Sequence, residues 1–168
     1  LTPELAMEVQ EALGADIAMT LDHCLAYTQD KDAARQAMER THLWAERCRQ
    51  AHHREGQVLF GIVQGGVFPD LREESAAFIT SLDLPGYAIG GLAVGEPKAT
   101  MYSLVTHTAA LLPRDRPRYL MGVGSPEDLV ECVARGVDLF DCALPTRVAR
   151  NGALFTHSGR VNIDVAGF

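Results

Sequence analysis

The sequence has no long hydrophobic run and no metal-ligand spacing among its cysteines. None of its apolar stretches reaches the roughly 18 residues that a membrane-spanning helix requires, so we expect no membrane partner. Its four cysteines include no C-x-x-C pair, which argues against a zinc site made from them. With reduced thiols and no recognisable leader, the sequence predicts a cytoplasmic protein. The cysteines are Cys24, Cys48, Cys132 and Cys142.

A positive net charge is also lacking, as are internal repeats, low-complexity segments and interdomain linkers. The formal net charge is -7 at pH 7, whereas proteins that bind nucleic acid usually present a basic surface. Composition alone therefore argues mildly against a nucleic-acid partner. The 168 residues, 47% of them apolar and 22% charged, are enough for one globular domain with a real core.

What the chain does have is a repeated alternation of apolar runs and stretches with helical spacing. Five apolar runs, each ending in a polar or glycine-rich turn, are predicted as strands at 16–21, 58–63, 86–89, 118–121 and 137–140. The stretches before and between them predict helices at 3–13, 31–53, 69–82, 97–112 and 126–135. Residues 151–163 are predicted to form a hairpin that turns at Ser158 and Gly159.

This alternation is typical of an α/β fold with parallel strands. An open doubly wound sheet concentrates its ligand site at one switch point, whereas here all five strands end in unusual residues. That distribution favours a (β/α)8 TIM-type barrel, in which the strand ends converge on one active site. Because five strands cannot close an eight-stranded barrel, we expect strands four to eight. Residues 1–168 would then be the C-terminal part of a single barrel domain whose first three strands belong to a longer protein.

Candidate residues for chemistry stand at the predicted strand ends. Asp22 and Asp141 follow strands buried on both faces, and Gln64 follows a strand between them. A single aspartate at such a position often only caps a helix. Two carboxylates across one mouth suit acid/base or nucleophilic work at a sugar carbon. Nearby glycines permit close approach of the backbone to a ligand: Gly65, Gly66, Gly90 and Gly91.

Basic residues near the last strand leave two interpretations open. Arg147 and Arg150, just beyond Asp141, are suited either to exposed ion pairs or to a phosphate clamp beside the site. His23 alone among the six histidines lies at the mouth, as a site residue or as part of a polar rim. The other histidines are expected to be solvated, and they are His42, His52, His53, His107 and His157.

Five segments together resemble the bacterial type of the tRNA-guanine transglycosylases. They read GADIAMTLDHC, LFGIVQGG, GYAIGGLAVGEP, PRYLMGVGSPEDL and LFDCALPTRVARNGALFT, in the family's order and spacing over nearly the whole chain. The resemblance implies a modified eight-stranded barrel with a zinc-binding insertion near its C-terminal end. It also implies a pentosyltransferase of queuosine biosynthesis, which exchanges guanine at the wobble position of tRNA for 7-aminomethyl-7-deazaguanine.

The resemblance assigns roles to residues at matching positions. Asp141 corresponds to the nucleophile that attacks the ribose anomeric carbon and forms a glycosyl-aspartate. Asp22 corresponds to the base-binding carboxylate, since one carboxylate can accept both N1–H and the N2 amine of guanine. Gln64 and the backbone N–H of Gly91 would donate to the O6 edge of the base.

Further contacts with the base and the tRNA are implied in the same way. The Leu92 carbonyl would accept from the aminomethyl group, and Met121 would form a polarizable floor under the base. Arg147 and Arg150 would hold tRNA. Val94 would fill the space that the larger base queuine requires, so the resemblance implies that queuine is excluded.

Some of the family pattern is altered or lies outside the chain. Where the family usually reads D-E-C-x-P-Y-P, this chain has His23, Ala26 and Thr28, and residues 165–168 also depart from the pattern. The family's D-S-G-G-F/Y-Q aspartate and its zinc ligands, three cysteines and a histidine, have no counterpart here. We therefore expect an inactive isolated fragment and a zinc-containing homodimer when complete. Two alternatives remain. The protein could be a non-catalytic barrel subunit that binds tRNA or a partner, or it could be an unrelated barrel lyase or decarboxylase.

Overall fold

Five short parallel strands form the centre of the molecule. The structure, a computed structural model, describes residues 1–163, so the expectation for residues 165–168 lies outside the described part. The strands pair in chain order within one curled sheet, as the predicted partial barrel requires, and this prediction is confirmed. They are β1 (Ile17–Met19), β2 (Val58–Val63), β3 (Gly86–Ile89), β4 (Arg118–Leu120) and β5 (Leu139–Phe140).

One helix precedes β1, and one helix connects each strand to the next. All five were predicted, with ends that agree to within two residues. They are α1 (Pro3–Leu13), α2 (Lys31–Ala51), α3 (Pro69–Ser81), α4 (Lys98–Leu111) and α5 (Pro126–Val133). Within residues 1–163, no helix combines the length and the apolar character needed to cross a membrane.

Local sequence signals explain why these helices begin where they do. The Thr2 hydroxyl and the Asp30 carboxylate accept backbone N–H groups from the first turns of α1 and α2, and Ser125 does the same for α5. Such caps satisfy N–H groups that have no partner inside the helix. Asp30 and Ser125 each follow a strand-to-helix loop, so their caps also fix where those loops end.

One face of the sheet packs against the helices, and the other faces the interior of the barrel. On β2, a side chain at Gly61 would meet Ile79 of α3 at 2.7 Å, so this face packs tightly against the helices. Alternate residues point the other way. A side chain at Gly90, after β3, would meet both Ile62 and Gln64 at 2.7 Å. Gln64 therefore continues the interior face of β2, which places its amide at the mouth of the barrel.

A short helix beyond β5 was not predicted. It is α6 (Leu144–Arg150), with a proline in its first turn and two arginines in its last. It is followed by the antiparallel pair β6 (Ala153–Thr156) and β7 (Gly159–Asn162). The predicted hairpin is thus confirmed, with its turn at His157 and Ser158, one residue earlier than expected.

Candidate active site

Two predicted site residues are in direct contact at the ends of β1 and β2. The Gln64 Nε2 donates a hydrogen bond to the Asp22 Oδ2 at 2.7 Å. Gln64 is 3% exposed, and Asp22 is half-buried. Burial raises the pKa of Asp22, and the bond from Gln64 partly opposes that shift. A desolvated carboxylate of this kind gains most when a ligand supplies further N–H donors to it.

Gln64 is held from behind by a chain of buried polar groups. Its backbone N–H donates to the Ser75 Oγ at 3.1 Å, and that hydroxyl lies 3.0 Å from Nε2 of His42. The His42 ring stacks on Phe78, with 4.3 Å between ring centroids. The prediction of a solvated His42 is wrong, because α2 turns this residue towards α3. Burial lowers the pKa of His42 to about 4, so the ring is neutral near pH 7 and can accept from Ser75.

The loop after β3 brings backbone against the Gln64 side chain. Gly91 has φ of 66°, and a side chain there would lie 2.3 Å from the Gln64 Oε1. Only glycine fits both requirements. The carboxylate of Glu96 accepts the N–H groups of Ala93 at 2.5 Å and of Val94 at 3.0 Å. The loop is therefore held in one conformation by its own residues.

A narrow cleft opens between this loop and the segment after β1. Residues from three strand ends line it, including His23, Tyr27, Gln64, Gly66, Gly91 and Val94. The side chain of Leu92 does not, because it is 3% exposed and packs in the hydrophobic core. A contact from the Leu92 carbonyl to a ligand, implied by the family resemblance, stays a prediction.

Asp22 and Met121 share a second cavity on the interior side of the sheet. Its volume is about 270 Å³, and Thr20 and Ile62 also line it. The structure thus brings four predicted site residues to one region. They are the carboxylate of Asp22, the amide of Gln64, the backbone of Gly91 and the apolar side chain of Met121.

Asp141 lies in a separate, open groove after β5. Its side chain is exposed, and its Oδ1 accepts the backbone N–H of Gly122 at 3.0 Å. Burial, together with the Asp141 charge, raises the pKa of Tyr119 to about 12, so this phenol stays protonated beside the carboxylate. The groove measures about 450 Å³ and is also lined by Ser125 and Arg147.

The two candidate arginines occupy the last turn of α6. Arg147 and Arg150 are both exposed, and only Arg147 lines the Asp141 groove. In the described part of the chain neither forms a salt bridge, so the ion-pair interpretation has no support there. Two exposed cations next to a carboxylate groove remain suited to binding an anion.

His23 lies at the rim of the cleft. Its backbone N–H donates to the Thr41 Oγ1 at 2.9 Å, and its Nδ1 lies 3.0 Å from Nη1 of Arg40. Both contacts come from α2, so they fix the loop after β1 to that helix. The structure thus gives His23 a loop-anchoring contact as well as a place on the cleft wall.

Comparison with known proteins now decides the family. Residues 1–168 match the family model described as Queuine tRNA-ribosyltransferase. The chain belongs to this family. It is 59% identical over 167 residues to the queuine tRNA-ribosyltransferase of Desulforamulus reducens, covering 99% of this chain and 45% of that protein. The protein of the same name from Pelotomaculum thermopropionicum is 62% identical over 167 residues, with the same coverage. That of Bacillus subtilis is 57% identical over 169 residues, covering 100% of this chain and 44% of the relative.

The resemblance to the tRNA-guanine transglycosylases is therefore confirmed at the level of the family. The chain spans a little under half the length of these queuine tRNA-ribosyltransferases. Among residues 1–163, no three His, Cys, Asp or Glu side chains are grouped so that they would hold a metal ion. The zinc ligands implied by the resemblance were expected beyond residue 168, and zinc stays a prediction for the complete protein.

Sequence reasoning missed several residues that shape this family site. Ser75 accepts a hydrogen bond from the Gln64 backbone, and Glu96 accepts two from the loop after β3. The fully buried Arg72 contacts both loops that flank the cleft. A signal for Arg72 was available. It lies four residues before Ala76 and seven before Ile79, on the apolar stripe of α3. A charged residue on a buried stripe indicates a polar partner inside the fold.

Proposed function

We propose that the complete protein containing this chain is a tRNA-guanine transglycosylase. It exchanges guanine at the wobble position of tRNA for 7-aminomethyl-7-deazaguanine, through a covalent intermediate between an aspartate and the ribose. The observation that carries this proposal is the Asp22–Gln64 pair beside the Gly91 backbone. Its acceptor and donors adjoin in the order that the Watson–Crick edge of guanine requires.

The recognition step follows from that order. The Asp22 carboxylate accepts N1–H and the N2 amine of the base, which suits an acceptor with raised pKa and few competing donors. A primary amide has two N–H groups, so Gln64 keeps one for O6 while the other bonds to Asp22. The N–H of Gly91 donates to O6 as well, and the Leu92 carbonyl accepts from the aminomethyl group. Met121 packs against the face of the base.

The displacement step falls to Asp141. Its carboxylate attacks C1′ of the ribose, a C1′–O bond forms as the C1′–N9 bond to guanine breaks, and the electron pair leaves with guanine, which takes up a proton. The incoming base gives up a proton from N9 and displaces the aspartate, so the sugar configuration is retained. The exposed position of Asp141 in a groove of about 450 Å³ supports access by a nucleotide. Its bond from the Gly122 N–H keeps the carboxylate oriented.

Binding of tRNA phosphates or a neighbouring anticodon base is assigned to Arg147 and Arg150. Both lie in the last turn of α6, and Arg147 lines the Asp141 groove, where exposed cations favour an anionic partner. The net charge of -7 for this chain means that the rest of the basic tRNA surface is expected elsewhere in the complete protein. Its zinc subdomain, its dimeric state and its cytoplasmic location are part of the same proposal.

The Asp141→Asn variant of the complete protein tests the covalent step. Asparagine keeps the size of the side chain and removes the nucleophilic charge, so no denaturant-resistant adduct between protein and tRNA should form, while the protein remains folded. The matched control is Asp115→Asn, an exposed aspartate in the loop before β4, at the opposite end of the sheet. Its adduct should equal that of the wild type.

The outcomes separate the alternatives. An adduct that persists in Asp141→Asn but disappears on changing another residue would move the nucleophile elsewhere. If the wild-type protein binds tRNA and neither forms an adduct nor incorporates labelled guanine, it is the non-catalytic subunit. The family match already excludes the unrelated lyase or decarboxylase, so a wild-type protein with no affinity for guanine or tRNA would contradict the proposed function itself.

A further inference from the structure

Arg72 is a buried cation directly behind the base-recognition cluster. It is fully buried on α3, and among residues 1–163 no acidic side chain forms a salt bridge with it. Its Nη1 has no hydrogen-bond partner within the described residues. A buried charge is costly unless it is paired or hydrogen-bonded, so the remaining contacts of this guanidinium have to offset its burial. Burial lowers the pKa of Arg72 to about 10, which still leaves the guanidinium charged near pH 7.

The other nitrogens of Arg72 bind backbone carbonyls in the two glycine loops. Nε donates to the Gly66 carbonyl at 2.8 Å. Nη2 donates to the Gly90 carbonyl at 3.1 Å and approaches that of Gly91 at 3.4 Å. One rigid guanidinium thus joins the loop after β2 to the loop after β3. A side chain at Gly65 would lie 2.8 Å from the Arg72 backbone nitrogen, so this close approach depends on glycine.

These contacts determine where the Gly91 N–H points. In a trans peptide the C=O and the following N–H point in opposite directions, and the described residues include no cis peptide bond. Since the Gly90 carbonyl points at Arg72, the Gly91 N–H points away from it. It is directed towards Cys24, whose pKa it lowers against the larger raising effect of burial. Cys24 is two residues beyond Asp22, the carboxylate that is proposed to bind the base.

We propose that Arg72 is a positioning residue that aims the Gly91 N–H at O6 of the base and strengthens it as a donor. A cation bound to the carbonyl of a peptide draws electron density from that peptide, which makes its N–H a better hydrogen-bond donor. The donor is then held near the place where negative charge develops on O6 as the base departs. This inference rests on the proposed exchange of guanine.

The test pairs a protein variant with a ligand that lacks O6. In the complete protein, Arg72→Met keeps the length and removes the charge and donors, and Arg72→Lys keeps the charge but not the rigid fork. The wild type, both variants and a stability control, Ile79→Val, are compared for binding of guanine and of 2-aminopurine. Ile79→Val removes one buried methyl from α3 without contacting the glycine loops. Labelled-guanine exchange into tRNA is measured in parallel as kcat and KM.

Arg72→Met should weaken guanine binding by about 10- to 100-fold. This is smaller than the roughly 100- to 1000-fold loss of kcat that follows complete removal of an oxyanion donor, because the Gly91 N–H itself remains. Binding of 2-aminopurine, which is already weak in the wild type, should change less than about threefold, because the lost donor has no O6 to meet. The kcat for guanine exchange should fall while the KM for tRNA stays unchanged, and Arg72→Lys should lie between wild type and Arg72→Met. Ile79→Val should lower stability only.

Equal weakening of guanine and 2-aminopurine in Arg72→Met would overturn the inference, since a merely structural arginine affects both ligands alike. If Arg72→Met does not fold, the same comparison is made with Arg72→Lys, and equal weakening there has the same consequence. A wild-type protein that fails to exchange guanine at all would instead contradict the proposed function. An O6-dependent loss in either variant supports the positioning role.

Discussion

The two halves of the site differ in how firmly their functional groups are held. Around Asp22 and Gln64, buried partners from α2 and α3 fix both the side chains and the loops. Around Asp141, the carboxylate accepts one backbone N–H and lies beside the Tyr119 phenol, and the groove is open to solvent. The recognition half is thus preorganised, whereas the displacement half is accessible.

This difference corresponds to the two ligands of the proposed reaction. A free base is small, and discrimination among bases requires donors and acceptors that do not move. A tRNA nucleotide is attached to a large polyanion and needs an open approach with exposed cations. Changes in the recognition half should therefore alter base selection, and changes around Asp141 should alter chemistry or tRNA affinity.

The largest effect is expected for Asp22→Ala in the complete protein. Two donors of guanine would lose their acceptor in a closed pocket, at a cost of roughly 2–4 kcal/mol in transition-state stabilisation. Guanine exchange should be lost while tRNA binding, measured by filter retention, persists. Asp16→Ala, an exposed aspartate just before β1, is the control and should have no effect. Equal loss of exchange and tRNA binding would mean that Asp22 is structural and that the two halves are not separate.

A smaller effect is expected at the wall of the recognition half, where Val94 lines the cleft next to Gly91. Overpacking a closed site costs about 1–3 kcal/mol, so we expect the wild type to exclude queuine. Val94→Gly should admit queuine, and Val94→Ala should lie between the two. The measurement is competition of queuine and 7-aminomethyl-7-deazaguanine for labelled guanine in tRNA. The relatives carry queuine in their names, so the competition is a genuine test. Equal use of both bases by the wild type would show that Val94 does not exclude queuine by its size.

The support behind Gln64 predicts a pH dependence of stability. Burial lowers the pKa of His42 from 6.5 to about 4. Between these two pH values His42 is protonated in the unfolded chain and neutral in the folded chain. The contribution of neutral His42 to folding is complete above pH 6.5 and is lost as the pH falls towards 4. By pH 5 the loss is about 2 kcal/mol. His42→Gln should lose this part of the acid destabilisation in denaturant titrations, and the exposed His53→Gln should retain it.

Much of the fold could be predicted from the sequence because its signals are local. Thr2, Asp30 and Ser125 mark helix starts by capping, and the apolar runs mark the strands. The contact between Asp22 and Gln64 follows from a general rule, since adjacent parallel strands end at the same edge of the sheet. These features depend on neighbours in sequence or on the order of strands, and both can be read without coordinates.

The contacts that hold the site depend on how helices pack, and no local pattern contains that information. His42 looked solvated because α2 is mostly polar, yet Ser75 and Phe78 of α3 enclose it. Arg72 reaches carbonyls in two loops that are distant in sequence. The seven-residue α6 was missed because it is short and lacks a side-chain cap. Buried polar groups on apolar stripes are the sequence feature that could have revealed such contacts.

The smallest effect is expected in the open half of the site. Arg147 lines the Asp141 groove and is exposed, so its attraction to a phosphate is screened by solvent and salt. Arg147→Ala should weaken tRNA binding by about 1 kcal/mol or less and reduce the slope of log affinity against log salt by about 1. Arg160→Ala, exposed on β7, is the matched control and should leave the slope unchanged. Guanine and 7-aminomethyl-7-deazaguanine should compete in Arg147→Ala as they do in the wild type, because the recognition half is untouched. A change in base selection with no change in salt slope would place Arg147 in recognition and break the separation between the two halves.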